Sequence, residues 1–260
     1  MTLDLSDLTA SSSPWLFGAA VIFLRVGAMM AVLPGLGERS VPARVRLGLA
    51  IALTVLVTPL IAPDLPEPAE VSNLVGLLLI EASIGLLLGM SLRLFVFTLS
   101  TAGAIAAQST SLSQIFGGSA GAEAQPAIGH VLVTGGLTIA MITELHLRVV
   151  EFIVMSYGSF PTGVPLSATF VADFGVSRVA ASFAFAFTLA APFFIASLIY
   201  NVTLGVINRA MPQLMVSFVG APVITAGGLV LLALSAPTLL GLWIDAFHDF
   251  MGAPSRGPNG

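Results

Sequence analysis

The sequence has no cysteine, no lysine and few charged residues of any kind. Without cysteine the chain can form no disulfide, thiolate nucleophile or zinc–thiolate site. Only 8% of the 260 residues are charged, against roughly a quarter in an ordinary soluble domain, whereas 57% are hydrophobic. This balance excludes a water-soluble globular enzyme. The nine arginines are scattered and outnumbered by 13 acidic residues, so we expect no nucleic-acid binding.

Motifs for catalysis or cofactor binding are also scarce. The three histidines lie far apart in the sequence and have no carboxylate at metal-ligand spacing. The chain shows no phosphate-binding loop. We therefore expect no metal, no cofactor and no enzyme activity.

What the sequence does contain is a succession of hydrophobic runs. A transmembrane helix needs about 20 apolar residues, so a chain of this length has room for about six spans with short connections. The third run alone measures about 55 Å as a helix, nearly twice the hydrocarbon thickness of a bilayer. The sequence predicts an all-α polytopic membrane protein with about six long, bent helices in hairpins. The runs are 14–33, 47–62, 71–107, 127–157, 176–207 and 214–247.

The links between the runs differ in charge. The first link contains Arg39, Arg44 and Arg46, the second contains three acidic residues and no basic one, and the fifth contains Arg209. Basic residues concentrate in cytoplasmic loops, so we expect the first and fifth links to face the cytoplasm. The first thirteen residues carry two acids and no base, so we expect no secretory signal peptide there.

Three charged residues, Arg25, Glu81 and Arg93, lie inside hydrophobic runs. Each costs about 2.5 to 3.5 kcal/mol on insertion scales, so such residues face a protein interior or a water-filled cavity. Two interpretations stay open from the residues alone. One is a proton or ion relay, and the other is a buried pair or a contact with a neighbouring subunit.

A polar, glycine-rich stretch at 108–126, QSTSLSQIFGGSAGAEAQP, separates the third and fourth runs. It is too weakly apolar to span a membrane. Its glycines leave the backbone little constrained. The stretch is interpreted either as a movable loop that closes a pore or as an ordinary surface linker.

Three strings carry a family resemblance. The first is LRVGAMMAVLPGLGERSVPARVRLGLAIALTVLVTP at 24–59, and the second is EASIGLLLG at 81–89. The third, NVTLGVINRAMPQL at 201–214, is followed by Phe218 and by the step from Gly220 to Pro222. Together they resemble the FliR/SctT family of type III secretion export gate subunits, which includes flagellar biosynthesis proteins. The resemblance covers about 20–245 in order.

The resemblance implies both an architecture and partners. Residues 1–170 would form a part similar to the P subunit, and residues 171–260 a hairpin similar to the Q subunit. One copy would join five P and four Q subunits in the export gate. The gate lies in the bacterial inner membrane at the centre of the flagellar basal body, within the basal body ring and next to the B subunit.

The resemblance also implies roles for individual residues. The loop around 108–126 would contribute to the plug of the secretion channel, through Gln108, Ser111, Ile115, Phe116, Gly117 and Gly118. The link after the fifth run would form the cytoplasmic tip of the Q-like hairpin, through Asn208, Arg209, Pro212 and Gln213. The three charges inside the runs are interpreted as contacts between subunits.

The implied function is that of a passive, channel-forming subunit. It would pass unfolded flagellar export substrates across the inner membrane and help to plug the channel at rest. A second class stays open: an independent secondary transporter or channel that uses Glu81, Arg93 and the proline-broken helices as a midplane site. A transporter would act as a single chain or homo-oligomer, whereas a gate subunit needs other subunits. Membrane lipid is an expected partner in both cases.

Overall fold

The computed structural model describes residues 5–35, 41–65, 74–109, 127–211 and 216–252. Within these ranges the chain forms seven α-helices and one turn of 3-10 helix at Ala62–Asp64. The predicted all-α membrane protein class is confirmed. The helices are α1 (Leu5–Val32), α2 (Ala43–Ile61), α3 (Leu74–Ser109), α4 (Ala127–Ile142), α5 (Leu145–Ser159), α6 (Ala168–Ala210) and α7 (Val216–Met251).

Five of the described helices, α1, α2, α3, α6 and α7, are long and apolar enough to cross a membrane. The helices α3 and α6 contain 36 and 43 residues. At 1.5 Å per residue they measure about 54 Å and about 65 Å, well beyond the hydrocarbon core of about 30 Å. Pro192 lies inside α6, where it has no N–H to donate to the helical ladder.

The fourth hydrophobic run is divided into two helices instead of forming the single long helix that hydropathy indicates. The α4 helix ends at Ile142, and the N–H and the hydroxyl of the next residue, Thr143, both donate to the Ile139 carbonyl, at 2.8 and 3.0 Å. Glu144 follows with a φ of 64°, a left-handed conformation that costs a non-glycine residue about 1 to 2 kcal/mol. With 16 and 15 residues, α4 and α5 are each shorter than the roughly 20 that a span needs.

The described residues form two compact units. Unit 1 comprises those of Met1–Leu94, Glu144–Arg178 and His248–Gly260, and unit 2 comprises those of Phe95–Thr143 and Val179–Phe247. The helices α3, α6 and α7 each contribute to both units. The division into a P-like part and a Q-like part near residue 170 rests on the resemblance and stays a prediction.

Unit 1 contains a close crossing of α1 and α3. Gly85 and Gly89 lie four residues apart, and therefore on one face of α3. A Cβ atom on Gly85 would lie 2.1 Å from the Arg25 carbonyl oxygen, and one on Gly89 would lie 2.7 Å from the Met29 carbonyl oxygen. Small residues at such positions let two helix backbones approach each other. The buried apolar side chains that these two helices contribute to the unit include Ile22, Val26, Met30, Ile84, Leu88 and Leu92.

Unit 2 has a tryptophan at its core. The fully buried Trp243 on α7 donates its indole N–H to the Phe95 carbonyl at 2.8 Å and stacks on Phe247, with ring centroids 5.1 Å apart. A Cβ atom on Gly103 of α3 would lie 2.1 Å from the Gly129 Cα of α4, so these helices also cross at close range. The indole hydrogen bond matters because an unpaired polar group in an apolar core is costly.

The outer faces of the spans carry many large apolar side chains. Only 22% to 39% of the residues in the five candidate spans are buried within the chain. On α6, for example, Phe187 and Leu198 are 55% and 53% exposed. Apolar surface of this extent is not stable in water and requires lipid or other protein chains around it.

We expect Gly85→Ala to lower the stability of the chain by about 1 to 3 kcal/mol, because the added methyl group overpacks the crossing with α1. Gly48→Ala on α2 is a matched control, since a Cβ atom there meets nothing within 4 Å. The control is expected to be neutral or to stabilise α2 by up to about 1 kcal/mol. Thermal unfolding of the purified chain in detergent measures both, and equal Tm values would contradict the close crossing.

Candidate functional site

A buried ion pair joins α1 to α3 in unit 1. Arg25 is 1% exposed and Glu81 is fully buried, and Arg25 Nε donates to Glu81 Oε2 at 2.7 Å. Removing two charges from water is costly, and their attraction offsets that cost only when the geometry is good and the other polar atoms of both groups are hydrogen-bonded. The surroundings of the pair therefore decide whether it is stable.

The other polar atoms of the pair are bonded to α5 and to the segment that follows it. Arg25 Nη1 donates to Ser156 Oγ at 3.3 Å, and Arg25 Nη2 donates to the Phe160 carbonyl at 2.9 Å. The Gly163 backbone N–H donates to Glu81 Oε1 at 3.2 Å. Both carboxylate oxygens and all three guanidinium nitrogens thus have partners. The pair connects α1, α3, α5 and the segment after α5.

A tight turn presents the Gly163 N–H to the carboxylate. The Val164 N–H donates to the Pro161 carbonyl at 3.3 Å, and Gly163 has a φ of 76°. A positive φ at the third position is what a type II turn requires, and glycine adopts it without strain. The dipeptide Thr162–Gly163 after a proline is therefore a local sequence signal for this part of the site.

An aromatic ring covers the flat face of the guanidinium. The Arg25 Cζ atom lies 3.8 Å from the ring centroid of Tyr157, within the range of a cation–π interaction. Arginine stays protonated in proteins, and the Glu81 carboxylate is bonded at both oxygens. The arrangement can hold helices together, since the polar atoms of both charged groups are bonded within the chain.

Unit 1 contains a second buried arginine, Arg178 on α6. Its guanidinium lies 4.9 Å from the ring centroid of Phe174 and 4.3 Å from that of Phe250. The Phe174 ring in turn stacks on Phe170, with centroids 5.6 Å apart. Arg178 was not among the predicted site residues, although it lies inside a hydrophobic run, as Arg25 does.

The three charges predicted inside the hydrophobic runs are not brought together. Arg25 and Glu81 form the pair, whereas Arg93 is exposed on α3 and is not one of the partners of the pair. The partners Ser156, Tyr157 and Phe160 were not predicted, because they are more than 70 residues from either charge in sequence. The role of the three charges as contacts between subunits stays a prediction.

One predicted plug residue lies within the described chain. Gln108 is exposed in the last turn of α3, next to Ser109, whose carbonyl accepts a hydrogen bond from Ser197 Oγ of α6. Asn201 Nδ2 donates to the same Ser197 Oγ at 3.1 Å. The end of α3 is thereby bonded to α6 within unit 2. The other five, Ser111, Ile115, Phe116, Gly117 and Gly118, lie outside the described residues.

Two predicted residues of the hairpin tip lie in the last turn of α6. Asn208 and Arg209 are both exposed there, and Pro212 and Gln213 lie outside the described residues. The last carbonyls of a helix carry partial negative charge, so a positive side chain at this position is favourable. The tip offers an exposed cation, and its assignment as a cytoplasmic contact stays a prediction.

The helices, their apolar outer faces and the buried ion pair define the class of the protein as a polytopic helical membrane protein with a charged pair at its core. The sequence profile described as bacterial export proteins, family 1, matches residues 16–250. The chain belongs to this family.

Relatives of the chain match along nearly its whole length. The flagellar biosynthetic protein FliR of Caulobacter vibrioides is 36% identical over 235 residues, which cover 90% of this chain and 94% of the relative. The flagellar biosynthetic protein FliR of Escherichia coli is 31% identical over 89% of this chain and 90% of its own length. The flagellar biosynthetic protein FliR of Bacillus subtilis is 28% identical over 82% of this chain and 83% of its own length.

We expect Glu81→Ala to lower the stability of the chain by about 3 to 5 kcal/mol, because it leaves the Arg25 guanidinium buried without its counter-ion. The double variant Arg25→Leu/Glu81→Leu removes both charges and should recover much of that loss. With the single variants Arg25→Leu and Glu81→Leu it forms a double-mutant cycle, and unfolding of the purified variants in detergent measures the coupling between the two residues.

Arg93→Ala is the control for this cycle, since it removes an exposed arginine from the same helix and should change stability by less than about 0.5 kcal/mol. If Glu81→Ala cannot be recovered folded, Glu81→Gln keeps an oxygen acceptor for the Gly163 N–H and is expected to lie between wild type and Glu81→Ala. Additive effects of the two single variants would refute a structural ion pair.

Proposed function

We propose that this chain is a component of the flagellar export apparatus, and specifically a structural, channel-forming subunit of its export gate. The gate would lie in the bacterial inner membrane within the basal body. The chain would pass unfolded export substrates across that membrane and help to plug the channel at rest. The observation that carries the proposal is the family match over 16–250, together with relatives named flagellar biosynthetic protein that share whole-chain coverage.

The exposed apolar faces support a role inside a larger assembly. At most 39% of the residues in the apolar stretch of each candidate span are buried, and the exposed large apolar side chains on these spans need partners. Helices of about 54 and 65 Å extend past a single hydrocarbon core and leave apolar surface where lipid tails do not reach. Subunits of matching length, such as the P and Q subunits of the resemblance, would cover these faces.

The buried ion pair supports a passive role over an independent transporter. A midplane transport site needs a polar group that can bind and release its substrate. Both oxygens of the Glu81 carboxylate are instead occupied, by Arg25 and by the Gly163 N–H. Chemistry and energy for export would come from other components, and this chain would act without enzyme activity.

The C-terminal ends of α6 and α3 carry predicted site residues, and each end supports a different part of the proposal. Arg209, exposed in the last turn of α6, would meet an acidic group of a cytoplasmic partner such as the B subunit. Gln108 lies at the end of α3, where the bond from Ser197 to the Ser109 carbonyl provides a fixed support. The proposed plug would begin at this support.

Loss of the chain from its own bacterium is expected to abolish release of flagellar filament protein into the medium and to leave general secretion unchanged. Immunoblots of culture supernatants measure the released protein, and a plasmid copy of the chain should restore it. The Gly48→Ala variant on the same plasmid, whose added Cβ atom meets nothing within 4 Å, is a control for expression. Undiminished export in the deletion strain would contradict the proposal and favour the independent transporter.

Deletion of residues 116–122 is expected to raise ion and small-solute leak through the assembled gate, because it shortens the segment proposed to close the channel. Conductance of the purified gate in a planar bilayer measures the leak directly. Arg209→Gln, at the other predicted site, serves as the control and should leave the leak at the wild-type level. A deletion variant with unchanged leak would contradict the plug assignment.

A further inference from the structure

One face of α3 is exposed over several turns in unit 1. The large side chains of Leu79, Leu86 and Met90 are 64%, 49% and 46% exposed on this face. Ser83 is exposed between the first two, and Arg93 is exposed one turn after Met90. The five residues follow one another at steps of four, three, four and three, so they share one side of the helix. We call this set the α3 stripe.

An apolar groove of about 510 Å³ runs beside the α3 stripe, within unit 1. The four residues of the stripe that precede Arg93 all line it, and Pro165 and Val171 line its other side. The Ser83 hydroxyl donates to the Leu79 carbonyl at 2.7 Å, so its proton is already used within α3. A ridge of side chains beside an apolar groove is the kind of surface against which another helix packs.

Arg93 gives the α3 stripe a single positive charge. It is the only charged residue in the sequence from 82 to 107. Among the described residues no acidic side chain pairs with Arg93, and the ion pair found there is that of Arg25 and Glu81. An arginine inside an apolar run is costly unless an acceptor, and above all a carboxylate, meets its guanidinium. Whatever covers the stripe must therefore supply such a group.

Apolar side chains are exposed on both sides of Arg93 along α3. Met90 precedes it by one turn, and Phe97, which is 52% exposed, follows it by one turn. A phospholipid extends its acyl chains to only one side of its phosphate. An apolar helix continues in both directions from any acidic side chain that it carries, and helices in membranes pack along one another over several turns. A helix with one acidic residue therefore matches this face, and a lipid matches only part of it.

We propose that the α3 stripe docks an apolar helix of another subunit, and that a carboxylate of that helix pairs with Arg93. The inference rests on the proposed function, because the helix would belong to another subunit of the same gate. It assigns to one exposed face a partner of stated chemistry, an apolar helix with a single Asp or Glu. This pair would do between two chains what Arg25 and Glu81 do within unit 1.

The first experiment identifies what lies on the stripe. The chain, carrying the only affinity tag, is co-expressed with its P and Q partners and has the photo-cross-linking residue p-benzoylphenylalanine in place of Leu86. Mass spectrometry should find it cross-linked to an apolar segment of P or Q that contains one acidic residue. The same residue in place of Val55, 52% exposed on α2, is the control and should give a different peptide. Cross-links from position 86 to lipid, to a second copy or to the chain itself would overturn the proposal.

The second experiment exchanges the charges. Arg93→Glu should lower the amount of P and Q recovered with the tagged chain about ten-fold, because it places two carboxylates against each other. Changing the acid found by cross-linking to arginine in the same cells should restore the recovery. Arg44→Glu reverses an exposed arginine of α2 and is the matched control, which should recover wild-type amounts.

The possible failures have different meanings. Undiminished recovery of P and Q with Arg93→Glu would overturn the pairing at Arg93 and leave the gate assignment intact. Absence of P and Q from the wild-type preparation would contradict the proposed function itself. Thermal unfolding of purified Arg93→Glu in detergent should give the wild-type Tm, because this arginine is exposed in the single chain. A lower recovery then reports the lost contact and not a misfolded subunit.

Discussion

The buried pair of Arg25 and Glu81 is the constraint on which the arrangement of unit 1 depends. Neither charge is tolerable at 1% exposure or less without the other, so α1 and α3 must meet where the two residues lie. Gly85, one turn after Glu81, removes the side chain that would keep the backbones apart. The carboxylate and the guanidinium then fix the turn at Gly163 and the end of α5. One interaction thus positions four parts of the chain.

Arg25 and Glu81 are hydrogen-bonded within unit 1, so neither charge has to be accommodated on the outer faces of the helices. With the pair and its partners enclosed in unit 1, the spans present faces on which large apolar side chains are common. Such faces are suited to packing against lipid or against other apolar helices, and small residues permit close helix contacts in either setting. A subunit that must fit among several neighbours benefits from a rigid, charge-paired interior of its own.

Much of the fold class was predictable, because hydropathy over roughly 20 residues is a strong local signal. Arg25 and Glu81 were also recognisable, since charges inside hydrophobic runs are rare. Their partners were not, because Ser156 and Phe160 are separated from Arg25 by 131 and 135 residues. No glycine or proline marks the break at Thr143–Glu144, so hydropathy alone predicts one continuous helix there. The functional interpretation depended on the three sequence strings, at 24–59, 81–89 and 201–214, that resemble the family.

We propose that this chain works as one subunit among others in an export gate. The most direct measurement is the mass of the complex recovered when the chain, carrying the only affinity tag, is co-expressed with its P and Q partners. We predict one copy of this chain with several P and Q subunits, five and four by the family resemblance. A stable homo-oligomer of this chain, recovered without P and Q, would contradict it.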